Sequence, residues 1–357
     1  MAELSDYLRL LVEKRGSDLH LKVTQPPVLR VNGELTPSDF PKLTPQELER
    51  LAHEILPEKL VTELDATGGA DFAHSVAGLG RFRVNVFRQR GTVSMVFRRV
   101  LPSPPQLDAL QVPPVLKRLA EEPRGLVLVT GPTGSGKTTT CAAMINHINS
   151  VRACNIVTLE DPIEILHADK KALINQREVG TDTESFAMGL RHAMRQDPDV
   201  IFLGEMRDPE TVWAALAASE TGHFVLSTLH TVDAAETINR IIEFFPAHQQ
   251  KQVRHSLGGA LRGIVSQRLL PTKDGTTRIP AIEVLVMTGR IYDCIVDPEE
   301  TRNLPDMIAE GDFYGMQTFD QALMKLYTED RISLEDAMHA ASNPHDFRVA
   351  LRKAGIT

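Results

Sequence analysis

Gly131-Pro132-Thr133-Gly134-Ser135-Gly136-Lys137-Thr138 follows the apolar, β-branched run Gly125-Leu126-Val127-Leu128-Val129-Thr130 and precedes a stretch, Thr138 to Asn149, that reads as a helix. A short apolar run of this kind is a buried parallel strand. The loop after it fits G-x-x-x-x-G-K-[ST], the phosphate-binding pattern, in the strand–loop–helix setting that pattern requires. Its glycines let the backbone curl so that successive N–H groups point at phosphate oxygens. Lys137 would reach the β- and γ-phosphates, and the Thr138 hydroxyl would hold Mg²⁺. The helix that follows turns its positive end toward the same phosphates. Gly131, Pro132, Thr133, Gly134, Ser135, Gly136, Lys137, Thr138 and Thr139 are therefore the expected nucleotide-binding residues, with ATP and Mg²⁺ as cofactors.

Working outward, apolar runs at 155–160, 199–204 and 223–228 alternate with helical stretches, which is the pattern of a parallel α/β sheet. Thr181 to Gln196 reads as one of those helices, opened by a box between Thr181 and Glu184 and stopped before Pro198. Ligands bind at the carboxyl ends of such strands. Val200 to Leu203 runs through Gly204 into Glu205, an acid placed to approach the metal or its waters. Thr158-Leu159-Glu160-Asp161-Pro162-Ile163-Glu164 ends another strand in acids, and Glu164 is the candidate for the base that polarises water. By spacing alone these acids could equally form a solvated turn. The strand at 223–228, within Thr221 to Thr231, leads into His230, either a γ-phosphate sensor or a structural histidine. Arg81, Arg83, Arg88, Arg90, Arg98 and Arg99 crowd one hairpin, as a solvated basic face or as arginines offered to a neighbour's nucleotide.

The first hundred residues read as a small α+β unit. Leu4, Leu8, Leu11 and Val12 make a helical face that stops near Gly16. Leu19, Leu21 and Val23 mark a strand, and Val28 to Val31 another. Residues 44–63 read as one helix opened by the Thr44–Glu47 capping box. Phe82, Val84 and Val86 alternate with Arg81, Arg83 and Asn85, and Gln89-Arg90-Gly91-Thr92 turns the strand back. The prolines from Pro102 to Pro114 suggest a linker, and the pattern after about residue 300 is helical. The boundaries expected are 1–101, a linker at 102–114, an α/β core at 115–290 and a helical region at 291–357.

Over 357 residues the net charge is −8 and the pI about 5.9. That balance disfavours a nucleic-acid tracker, which carries a basic stripe. No apolar run approaches the ~18–20 residues of a membrane span. Met1-Ala2-Glu3-Leu4-Ser5-Asp6 has no positive segment before an apolar core, so no signal peptide is expected. Cys141, Cys154 and Cys294 are scattered, which fits a reducing compartment and no structural zinc.

Taken in order, these blocks resemble the secretion-ATPase superfamily, the hexameric motors of type IV pili and of type II and IV secretion. The likeness rests on the phosphate loop, on Thr158 to Glu164, on Gly204-Glu205-Met206-Arg207-Asp208 and on Thr221 to His230. It runs from Ser17-Asp18-Leu19-His20 to Thr318-Phe319-Asp320-Gln321. Within the superfamily the chain is most similar to the pilus retraction branch, the PilT- and PilU-like ATPases. It starts directly at the N-terminal domain, lacks a four-cysteine insertion, and carries Gly315-Met316-Gln317-Thr318-Phe319-Asp320-Gln321. The resemblance implies an N-terminal PAS-like α+β domain, a RecA-like P-loop ATPase core and a helical C-terminal portion. It implies a homohexamer that hydrolyses ATP, with Glu164 as catalytic base, Glu205 as metal-side acid that holds Mg²⁺ directly or through water, and His230 as γ-phosphate sensor. Arg83 and Arg98 would reach over from a neighbouring subunit. The implied work is type IV pilus retraction and twitching motility, from the cytoplasmic side of the inner membrane, against a membrane platform protein at the pilus base and alongside paralogous pilus ATPases. The branch often carries Ala-Ile-Arg-Asn-Leu-Ile in its C-terminal region; this chain departs from it, since Arg302-Asn303-Leu304 is followed by Pro305 and Gly289-Arg290-Ile291-Tyr292-Asp293 stands at the other place where that motif could align. Pilus assembly or secretion by the same kind of motor is the nearest alternative. A RecA-like nucleic-acid translocase and a non-enzymatic regulator are more distant ones.

Overall fold

The structure, a computed structural model, describes residues 3–356. The chain forms two compact units. The first runs to Ser103 and also takes in Glu164–Leu166; the second comprises Pro104–Ile163 and the chain from His167 onward.

In the first unit, β1 (Asp18–Leu21), β2 (Val28–Val31), β3 (Glu34–Pro37), β4 (Gly69–Val76), β5 (Gly80–Gln89) and β6 (Thr92–Arg99) form an antiparallel sheet in the order β3-β2-β1-β6-β5-β4. Alternation sorts its faces: Leu19, Phe82, Val84 and Phe97 pack beneath Leu8, Leu11 and Leu48 of the covering helices. The opposite face carries a polar row, Arg30, Asp18, Arg98 and Arg83, set side by side by the register. The hairpin turn falls where expected, with Arg90 and Gly91 both at positive φ. Thr44 and Glu47 do form a capping box. The single helix expected over 44–63 is instead two, Pro45–Ile55 and Glu58–Thr67, because Pro57 cannot continue the first. At the end of the helix Leu4–Glu13 it is Arg15, not Gly16, that takes the left-handed conformation.

In the second unit, β7 (Gly125–Thr130), β8 (Asn155–Glu160), β9 (Leu173–Glu178), β10 (Val200–Leu203), β11 (Phe224–Leu229), β12 (Leu261–Pro271) and β13 (Arg278–Val286) lie in the order β13-β12-β7-β11-β10-β8-β9. All pairings are parallel except β12 with β13. β7 is buried on both faces: Leu126 and Leu128 enter one apolar cluster, Val127 and Val129 the other. Each such side chain contributes about 1.5–3 kcal/mol through burial, which is why this strand reads as an unbroken apolar run. The helix Lys137–Val151 covers the second cluster and Pro209–Glu220 the first.

The helix expected over Thr181–Gln196 is shorter, Phe186–Ala193, and its cap is Ser185, which accepts from the Met188 N–H. Thr181 lies in a turn closed onto Glu178, the end of β9. The C-terminal helices Phe319–Thr328, Leu334–Ala340 and Pro344–Lys353 pack Phe319, Leu323, Ala337 and Phe347 onto Leu270, Ile279 and Ala281 of β12 and β13. Pro305 falls in the first turn of the helix Leu304–Ala309, where its missing N–H has no intrahelical partner to lose. Among the described residues no helix is long and apolar enough to cross a membrane.

Candidate active site

The phosphate loop starts from the central strand β7 and is braced from behind by β12. The Gln267 side chain, 3% exposed, accepts from the Thr140 hydroxyl at 2.8 Å and donates to the Ser135 carbonyl at 2.6 Å. Gly131 and Gly136 sit at φ +144° and +92°, and a Cβ on either would meet Gln267, at 2.3 Å from its carbonyl oxygen and 2.7 Å from its side-chain nitrogen. Only glycine fits at both. The Lys137 ammonium is buried and donates to the carbonyls of Gly131 at 2.7 Å and Pro132 at 3.1 Å. Ser135 Oγ is buried and has no hydrogen-bond partner among the described residues. A loop of glycine-limited backbone, a buried ammonium and an orphaned hydroxyl fit a phosphate ligand.

Next to the loop, β10 and β11 end together. Thr228 donates its hydroxyl to the Gly204 carbonyl at 2.6 Å, which fixes the two strand ends. His230 then bridges two charges: its Nδ1 is 3.5 Å from Lys137 Nζ and its Nε2 is 3.4 Å from Glu205 Oε1. A lysine ammonium only donates, so the tautomer with its proton on Nε2 satisfies both contacts. Arg207 donates from Nε to the other oxygen of Glu205 at 2.8 Å and lies 3.5 Å from Asp161. Glu205 and His230 face a groove of about 740 Å³ that also takes in Arg207, Asp233 and Arg240. Thr138 and Glu205 are hard oxygen donors of the kind Mg²⁺ takes. Glu205 would have to share its carboxylate with Arg207 to serve it.

Not all the expected site residues share this cluster. Glu164 is exposed and does not end β8; it lies beyond the Asp161-Pro162 turn, on the segment assigned to the first unit, with its carbonyl accepting from the Leu101 N–H at 3.2 Å. Arg83 and Arg98 are cross-strand neighbours in the first unit's sheet. Arg98 Nε donates to Asp18 at 2.8 Å while its side chain stays 69% exposed, and Arg83 lies 4.0 Å from Asp71. Burial pushes the Asp18 pKa up, but the hydrogen bonds from Arg98 and Ser17 outweigh it and hold the carboxyl below its ordinary value.

Residues 81–304 match the family described as Type II/IV secretion system protein. The chain belongs to this secretion-ATPase family. It is 42% identical over 350 residues to the type IV pilus ATPase PilU of Pseudomonas aeruginosa, covering 98% of this chain and 91% of that one. It is 41% identical to the type IV pilus retraction ATPase PilT of the same organism, covering 97% of this chain and all of the other. A crystal structure of the pilus retraction motor PilT with bound ADP superposes with a TM-score of 0.90 at 44% identity, over 97% of this chain and 99% of that one. The second unit therefore contains a RecA-like core, as the likeness in sequence implied.

Within this secretion ATPase, sequence reasoning missed Gln267 and gave Arg207 no role. Arg207 carried a usable signal, standing two residues beyond Glu205. Gln267 carried none, since its partners lie more than 100 positions away. Its two bonds brace the loop before any ligand binds. Gln267→Ala leaves a buried carbonyl and hydroxyl unpaired and should cost about 2–3 kcal/mol. The midpoint of urea unfolding of the nucleotide-free protein checks this; an unchanged midpoint would mean the loop stands without its brace.

Proposed function

We propose that the chain is a Mg²⁺-dependent ATPase that works as a six-membered ring and powers type IV pilus retraction. The observation that carries this reading is its near-full-length likeness, in sequence and fold, to a pilus retraction motor that binds ADP. In this reading the phosphates lie along Gly131 to Thr139, and Lys137 turns from the loop carbonyls to their oxygens. The base occupies the cavity of about 190 Å³ behind Gly136 and Thr139, between apolar Val112, Leu269 and Ile279. Thr138 and Glu205 hold Mg²⁺, which neutralises charge on the phosphates when bound. His230, already against both Lys137 and Glu205, reports the γ-phosphate. Glu164 takes a proton from the attacking water, and Arg83 and Arg98 of a neighbouring subunit offset the charge that develops. The unit up to residue 101 is PAS-like, and residues 102–114 carry motion between it and the core. The protein sits in the cytoplasm against the inner membrane, where its partner is the platform protein at the pilus base.

The test is a count of surface pili on cells deleted for the gene. Excess pili with lost surface motility, restored by the wild-type gene, are expected. Bald cells would assign the motor to pilus assembly instead.

A further inference from the structure

Glu283 is a buried carboxylate that the reading above does not use. It lies on β13 opposite Ser266 of β12 and is 8% exposed. Removing a carboxylate from water costs several kcal/mol unless it is hydrogen-bonded. Here it accepts from the Ala234 N–H at 2.9 Å, and the Phe319 N–H faces it from the other helix and weakly lowers its pKa. Each is the first residue of a helix, Ala234–Glu243 and Phe319–Thr328, so both positive helix ends converge on one side chain. Neither helix lacks a cap of its own. Asp233 accepts from the Glu236 N–H and Thr318 from the Gln321 N–H. What Glu283 adds is a connection between the two helices.

One end of that connection lies close to the nucleotide chemistry. Ala234 is separated from His230 only by Thr231-Val232-Asp233, and this segment is tied to the helix by two side-chain bonds. The Thr231 hydroxyl meets that of Thr237 at 2.7 Å, and the Val232 N–H donates to Glu236 at 2.9 Å. The chain leaving His230 is thus anchored directly to the first turn of the helix. The other end is the first helix of the C-terminal cluster. Arg268 of β12 stacks 3.9 Å over the Phe319 ring and donates to the Ala340 carbonyl. The charged groups around the carboxylate are Arg268 and Asp233, and Arg268 is itself within the field of Asp320. Burial, the largest influence, raises the Glu283 pKa to about 7 against the pull of the Ala234 N–H.

We propose that Glu283 is a positioning residue that passes movement of the His230 segment to the C-terminal helices by holding the first turns of helices 234–243 and 319–328 together. The inference rests on the nucleotide-binding reading of the site. It is tested by amide hydrogen exchange on the full chain, with and without ADP, for wild type and Glu283→Gln. Glutamine removes the negative charge that both helix ends face and replaces one acceptor oxygen with an NH₂ donor, which cannot pair with a backbone N–H. In wild type, ADP is expected to slow exchange at 131–139, at 229–243 and at 319–328. In the variant the first two responses should persist and the third should fall at least threefold. If Glu283→Gln does not fold, Glu283→Asp, which keeps the charge but is one methylene too short to span both helix ends, is expected to give the same result. An undiminished response at 319–328 in a folded variant, or none there in wild type, overturns the proposal. Absence of protection at 131–139 removes the nucleotide-binding reading and the inference with it.

Discussion

Lys137→Ala is expected to lower ATP hydrolysis by at least about a hundredfold, the range seen when one positioned donor to a transition-state charge is removed, about 2.7–4 kcal/mol. Lys137 is the ammonium that this loop encloses, held by the carbonyls of Gly131 and Pro132 and 3.5 Å from His230. No other described side chain in the loop carries positive charge. Its loss leaves two carbonyls to solvent, while the Gln267 brace on Ser135 and Thr140 is untouched. The variant should therefore fold and lose ATP affinity as well as turnover. Steady-state hydrolysis with a fluorescent-nucleotide titration checks both, and turnover near the wild-type rate would remove Lys137 from the chemistry.

Glu164→Gln should separate the two. An amide cannot accept a proton from water, so turnover is expected to fall by about 10²–10⁴, while the binding residues of the loop remain intact. The backbone there is held by the Leu101 N–H to Glu164 carbonyl bond and by Leu166 donating back to Leu101, so the substitution changes a side-chain tip and not the path of the chain. A single-turnover measurement with labelled ATP would expose any residual chemistry. Hydrolysis within a few-fold of wild type would exclude Glu164 as the base and turn attention to Glu160, Asp161 or Glu205.

The parts of this molecule that could be read from sequence are those whose environment imposes a pattern. β7 sits between two apolar clusters and shows as a continuous apolar run. β5 packs one face and shows as an alternation. β12 escaped notice because Ser266, Gln267 and Arg268 interrupt it: Ser266 and Gln267 are inside because they pair with Thr130 of β7 and with Ser135 and Thr140 around the phosphate loop, and half-buried Arg268 stacks on Phe319. β9, with the polar sequence Leu173-Ile174-Asn175-Gln176-Arg177-Glu178, is an edge strand with little to bury. In the site, Glu205 and His230 follow strand ends and Lys137 opens the helix after the loop, positions whose convergence spacing alone predicts. Arg98 does not, because its partner Asp18 is 80 positions away and the pairing of β1 with β6 has no local signature. Glu164 looked like a strand-end acid only because the count of residues cannot register a turn at Asp161-Pro162.

The excursion of Glu164–Leu166 also bears on how the chain is made. Leu101 is synthesised as the first unit ends, yet the segment that pairs with it follows roughly sixty residues later. At about 5–20 residues per second, a ribosome needs several seconds to cover that interval. During it the first unit stands with an open seam while the phosphate loop and its helix emerge. A fragment cut at Ser103 would keep that seam open for good, so the natural dissection point of this protein is not the proline-rich stretch where a reader of the sequence would place the scissors.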